Sequence, residues 1–98
     1  MKTLKEIKKI LGDHHSTLEE RFKVKRLSIF GSYARGEQTE ESDLDILVEF
    51  REPVGFEFLR LARFLEEILQ VKVDLVTPDA IKKNRRKYIE KDLIEVEA

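Results

Sequence analysis

With 98 residues, 41% of them apolar, the chain is long enough for one hydrophobic core, so a single domain over residues 1–98 is expected. A formal net charge of −1 gives no general attraction to polyanions, so direct nucleic-acid binding is not indicated; the absence of cysteine excludes disulfides and thiolate-bound zinc. No apolar run reaches the length of a membrane span and the first six residues lack the apolar core of a secretory signal, so no membrane role is expected and a cytoplasmic location is.

Residues 3–23 carry a helical pattern, with Leu4, Ile7, Leu11, His14 and Leu18 at spacings of three and four. Gly12 and Asp13 interrupt it and are expected to split it. His14 and His15 are neighbours about 100° apart on a helix, so they do not chelate one ion together and are read as a helix surface or junction. Val24 to Phe30 reads as a strand ended by Gly31, with Ser32 as the N-cap of a short helical turn through Tyr33, Ala34 and Arg35. A polar loop from Gly36 to Ser42 leads to a second strand, Leu44 to Phe50. Ile46 and Val48 fall on one face of it and Leu47 on the other, so it is expected to be central.

Arg51 to Gly55 is a loop, and Phe58, Leu61, Ala62, Leu65, Ile68 and Leu69 form one stripe of a helix ending near Gln70. Val71 to Thr77 is a third strand closed by Pro78, and Asp79 to about Lys91 is expected to be helical. For residues 92–98, continuation of that helix and a short edge strand both remain open. The order points to an α/β or α+β fold, with helices packed on a mixed sheet of three or four strands.

The chemistry concentrates between Gly31 and Asp45. Asp43 and Asp45, at i and i+2 on a strand, share a face, and their repulsion calls for a cation. A hard divalent ion such as Mg²⁺ meets that need with oxygen ligands. Asp-x-Asp alone is common near strand starts. Asp74, an acid embedded in an otherwise apolar strand, is more telling, because an unpaired buried carboxylate is costly. If the two strands are neighbours, the three carboxylates converge into a site suited to two-metal phosphoryl transfer. Gly31 permits close backbone approach, the Ser32 hydroxyl can donate to a phosphate oxygen, and Arg35 can balance phosphate charge. The basic run Lys82, Lys83, Arg85, Arg86 and Lys87 is read as a solvated helix face, with an acidic partner or nucleotide phosphates as the alternative. Tyr88 and Ile89 are assigned to the core.

Gly31-Ser32, ten intervening residues and then Asp43-Leu44-Asp45 resemble the signature of the nucleotidyltransferase superfamily with the DNA polymerase β fold. The longer string from Gly31 to Glu37, with Ser42 to Asp45 and Val73 to Val76, is similar to its minimal branch, the small MNT proteins. The resemblance implies the polymerase β-like fold, Asp43 and Asp45 as metal ligands, and Asp74 as a third carboxylate that helps hold metal and activate a hydroxyl. It implies that Gly31 and Ser32 cradle the triphosphate of ATP, with two Mg²⁺ ions, and that AMP passes to a hydroxyl as pyrophosphate leaves. Minimal members resemble the antitoxins of HEPN/MNT modules, which implies AMP transfer to a tyrosine of a HEPN-type helical ribonuclease toxin encoded nearby. Two other readings stay open: an antitoxin that neutralises its partner by binding alone, and transfer to a small-molecule hydroxyl. Larger members add a second domain that helps bind base and acceptor, so here a partner or a homo-oligomer is expected to complete the site.

Overall fold

A strand with apolar residues on both faces is driven inward, and Leu44–Phe50 takes that place. In the computed structural model, which describes residues 2–81 and 83–96, four strands form one mixed sheet: β1 (Val24–Phe30), β2 (Leu44–Phe50), β3 (Val73–Val76) and β4 (Ile94–Val96), in the order β3-β2-β1-β4. β1 runs antiparallel to both β2 and β4, while β2 and β3 are parallel. A parallel neighbour requires a crossover, and helix α3 (Glu57–Leu69) supplies it. Leu44, Ile46 and Val48 on one face of β2 join fully buried Leu61, Leu65 and Leu69 of α3 in the core, and Leu47 is buried on the other face.

Helix α1 (Leu4–Asp13) adds Ile7 and Leu11 to that core. Its start is fixed by a reciprocal cap: Thr3 Oγ1 accepts from the Glu6 N–H at 3.2 Å, and the Glu6 carboxylate accepts from the Thr3 N–H at 3.3 Å. The helical pattern does split, immediately after Asp13, and a π-helical turn follows at Thr17–Arg21. His14 Nδ1 lies 2.9 Å from the Ile10 carbonyl and its ring stands edge-on to Phe64, whereas His15 pairs with Glu19 at 3.0 Å. The two imidazoles point apart at a helix junction, as their spacing requires.

The end of α3 places β3. Gln70 turns the chain in the left-handed region (φ 54°), and the Glu66 carboxylate accepts the Val73 N–H at 2.9 Å. The Leu44 N–H then donates to the Lys72 carbonyl at 2.8 Å, which seats the starts of β2 and β3 side by side. Because that turn uses Val71 and Lys72, β3 is shorter than the expected Val71 to Thr77.

The C-terminal region differs from expectation in one place and settles an open choice in another. Asp79 does not start a long helix: Pro78–Ala80 form a 3₁₀ turn and Ile81 is extended, so helix α4 runs only from Lys83 to Asp92. Residues 94–96 pair with β1 as an edge strand, Ile94 opposite Ile29 and Val96 opposite Leu27. Lys82, the side chains of Lys83, Asn84 and Tyr88, and residues 97 and 98 lie outside the described residues, and with them the core assignment of Tyr88. Among the described residues, no helix is long and apolar enough to cross a membrane.

Glu66→Ala removes the carboxylate that orders the entry to β3. A loss of about 1–3 kcal/mol in denaturant unfolding is expected, with Glu66→Gln losing less.

Candidate active site

The antiparallel register of β1 and β2 and the parallel register of β2 and β3 set Phe30, Asp45 and Asp74 in one row across the sheet. Alternation along β2 turns Asp45 and Leu47 away from the face that carries Leu44, Ile46 and Val48. The carboxylates therefore stand on the face opposite the main core.

β1 ends at this row, and the chain must turn at once. Gly31 does so at φ 73°, ψ −151°, a conformation open in practice only to glycine. A Cβ at this position would also overlap Asp45 Oδ2, so the missing side chain makes room for the carboxylate. Helix α2 (Ser32–Arg35) follows, closed by Gly36 in the left-handed region and anchored by buried Tyr33. Gly31 is thus the N-cap and Ser32 the first helical residue, in place of the expected Ser32 cap. The positive φ that the strand-to-helix turn demands decides the exchange.

Asp45 is half-buried, while Asp43, two residues before it, and Asp74, opposite it on β3, are exposed. Burial pushes the Asp45 carboxyl up from 3.8 to about 6, and the charges of Asp74 and then Asp43 push in the same direction; Arg35 and Arg85 partly offset them. The three acids picked out in the sequence are therefore brought close enough for two to act on the third. They do not form a closed cage: among the described residues, no three His, Asp or Glu side chains converge as a metal-holding group. The donor set still fits a hard divalent cation, since all donors are oxygens and the central carboxylate is one whose ionised form a nearby cation would favour.

A cleft of about 390 Å³ opens on this row, walled by Gly31, Arg35, Asp45 and Asp74 from the sheet side and by Arg85 and Ile89 of α4. Asp43 and Ser32 lie outside that wall. The Arg35 guanidinium is already engaged, at 2.6 Å from Asp92 of α4 and 3.3 Å from Glu37, and both hydrogen bonds hold its pKa above the usual arginine value. It ties α2 to the last turn of α4. Three residues of this neighbourhood escaped the motif: Asp92, Arg85 and Ile89. Ile89, assigned to the core from its sequence, is half-buried at the cleft. Only the basic run containing Arg85 left a signal in the sequence, and that signal carried no destination.

Residues 4–96 match the family model described as the nucleotidyltransferase domain. The chain belongs to this family and is a nucleotidyltransferase. It is 55% identical to the provisionally named protein adenylyltransferase MJ1379 of Methanocaldococcus jannaschii, over 98% of this chain and all of that one. To protein adenylyltransferase MntA of Thermococcus cleftensis it is 43% identical over 98% of each chain. Among solved structures, one provisionally described as a minimal nucleotidyltransferase superposes with a TM-score of 0.80 at 34% identity, covering 95% of each chain. A toxin–antitoxin structure with AMP-PNP gives a TM-score of 0.67 at 25% identity, over 97% of this chain and 73% of that one.

Two predictions follow from this geometry. Gly31→Ala is expected to destabilise the fold by about 1–3 kcal/mol. In a double-mutant cycle Asp45→Ala should recover part of that loss by removing the overlap. For Asp45 the sign is set by a folded pKa above the unfolded 3.8: the folded state binds the extra proton between 3.8 and about 6, so stability falls as pH rises through that window. Asp45→Asn should therefore raise the melting temperature of the metal-free protein at pH 7–8. The gain should shrink toward pH 4, where the wild-type carboxyl is protonated as well.

Proposed function

We propose that this nucleotidyltransferase moves AMP from ATP to a hydroxyl of a protein partner, a tyrosine of a HEPN-type helical ribonuclease toxin encoded nearby, and so acts as its antitoxin in the cytoplasm. The observation that carries the reading is the row of Asp45 and Asp74 across β2 and β3, set against the side-chain-free Gly31. Similarity to a protein named protein adenylyltransferase MntA and to a toxin–antitoxin structure with AMP-PNP supports the nucleotide and the partner class. Residues 1–98 are taken as one domain.

In this reading Asp43 and Asp45 hold Mg²⁺, two ions in all, with Asp74 as a further ligand. When bound, the metal polarises the phosphoryl oxygens and stabilises charge on the departing pyrophosphate. The chain's own residues do the positioning. Gly31 lets the phosphate chain approach the backbone, Ser32 donates a hydrogen bond to a phosphate oxygen, and Arg35 adds positive charge at the cleft wall. Asp74, exposed at the sheet edge, is open to an incoming acceptor and takes the proton of the attacking hydroxyl. A bond forms between that oxygen and the α-phosphorus, the bond to the β-phosphate oxygen breaks, and pyrophosphate leaves.

The test combines this protein, labelled ATP, Mg²⁺ and the product of the neighbouring gene. Mass spectrometry should show the neighbour gaining AMP on tyrosine. Asp43→Asn and Asp45→Asn should each lower the rate more than about 100-fold, the scale of losing a charge-stabilising group. Full neutralisation of the toxin by the Asp43→Asn protein would instead favour binding alone.

A further inference from the structure

We propose that Arg85 of α4 is a phosphate-binding residue of the nucleotide cleft, so that α4 forms the wall against which the triphosphate is held. This deepens the nucleotidyltransferase reading and rests on it. Within the basic run, Arg85, Arg86 and Lys87 are all exposed, yet of these three only Arg85 lines the cleft that contains Gly31, Asp45 and Asp74. Ile89, one helical turn further on, lines it too. Residues at i and i+4 share a helix face, so this face of α4 is the one turned to the carboxylate row. Arg86 points elsewhere, its guanidinium donating to the Pro78 carbonyl at 3.4 Å.

Charge gives the placement a purpose. Three carboxylates and a triphosphate carry more negative charge than two divalent ions cancel, so bound nucleotide needs a further cation nearby. Arg35 is the nearer candidate by sequence, but its charge is shared with Asp92 and Glu37. Those contacts offset part of the charge that Arg35 brings to the cleft wall and hold the last turn of α4 in place. Arg85 stands on the same helix, facing the cleft, with a planar fork of donors matched to phosphate oxygens.

The experiment measures AMP-PNP binding in the presence of Mg²⁺ by calorimetry, and KM and kcat for ATP, in the full chain. Arg85→Ala should weaken AMP-PNP binding and raise KM by about 10- to 100-fold, the worth of one charge-assisted contact. Arg85→Lys should recover part of the loss, while Arg86→Ala and Lys87→Ala should stay within about twofold of wild type. An unchanged melting temperature would separate this from a packing defect. Wild-type affinity and KM in Arg85→Ala, alongside activity lost in Asp45→Asn, would overturn the assignment and leave the nucleotidyltransferase reading standing. Equal losses in Arg85→Ala, Arg86→Ala and Lys87→Ala would also overturn it, in favour of a diffuse helix field. Failure of the wild-type protein to bind AMP-PNP with Mg²⁺ would overturn both.

Discussion

The constraint on which the structure depends is that Asp45 must face Asp74 across two parallel strands while its carboxylate lies against the backbone of Gly31. Nothing in folding favours that arrangement. Two acids in register repel, burial raises the cost of the charge, and the turn beside them depends on a glycine, which loses more conformational freedom on folding than any other residue. An unfavourable cluster held in place by the surrounding fold is what makes this row the candidate active site.

The rest of the chain compensates. Leu44, Ile46 and Val48 bury one face of the strand that carries Asp45, so the register cannot slip without exposing all three. The crossover helix ends in a left-handed turn, and Glu66 and Lys72 hold the start of β3 at the height that puts Asp74 opposite Asp45. On the other side of the sheet, Arg35 reaches from α2 to Asp92 and brings α4 over the carboxylate row. Core, crossover and ion pair thus each fix one wall of the same cleft. Elsewhere some charged groups are paired at the surface, among them Glu19 with His15 and Glu95 with Arg26.

Much of this was legible before any coordinates. Gly31 at a strand end, Asp43 and Asp45 at alternate positions and Asp74 in an apolar strand are local patterns, and strand periodicity alone assigns each acid to a face. The centrality of Leu44 to Phe50 was legible for the same reason. Ser32 was misplaced by one position because N-cap preference describes side chains, whereas this turn is governed by the φ that only Gly31 adopts. The interruption at Ile81 was missed because residues 79–91 carry few apolar markers, leaving the pattern no phase by which to detect a break.

The sequence by itself determined the acids, their alternation and the spacing that allies the chain with nucleotidyltransferases, because these depend on neighbours a few residues apart. Only the tertiary structure decided that Asp45 and Asp74 stand in one row, that residues 94–96 close the sheet edge, and that Arg85 and Ile89 meet Gly31 and Asp45, forty or more residues away along the chain, at one cleft. Such pairings are set by which apolar faces can be buried together and by single long-range contacts such as Arg35 with Asp92. Neither leaves a period in the sequence.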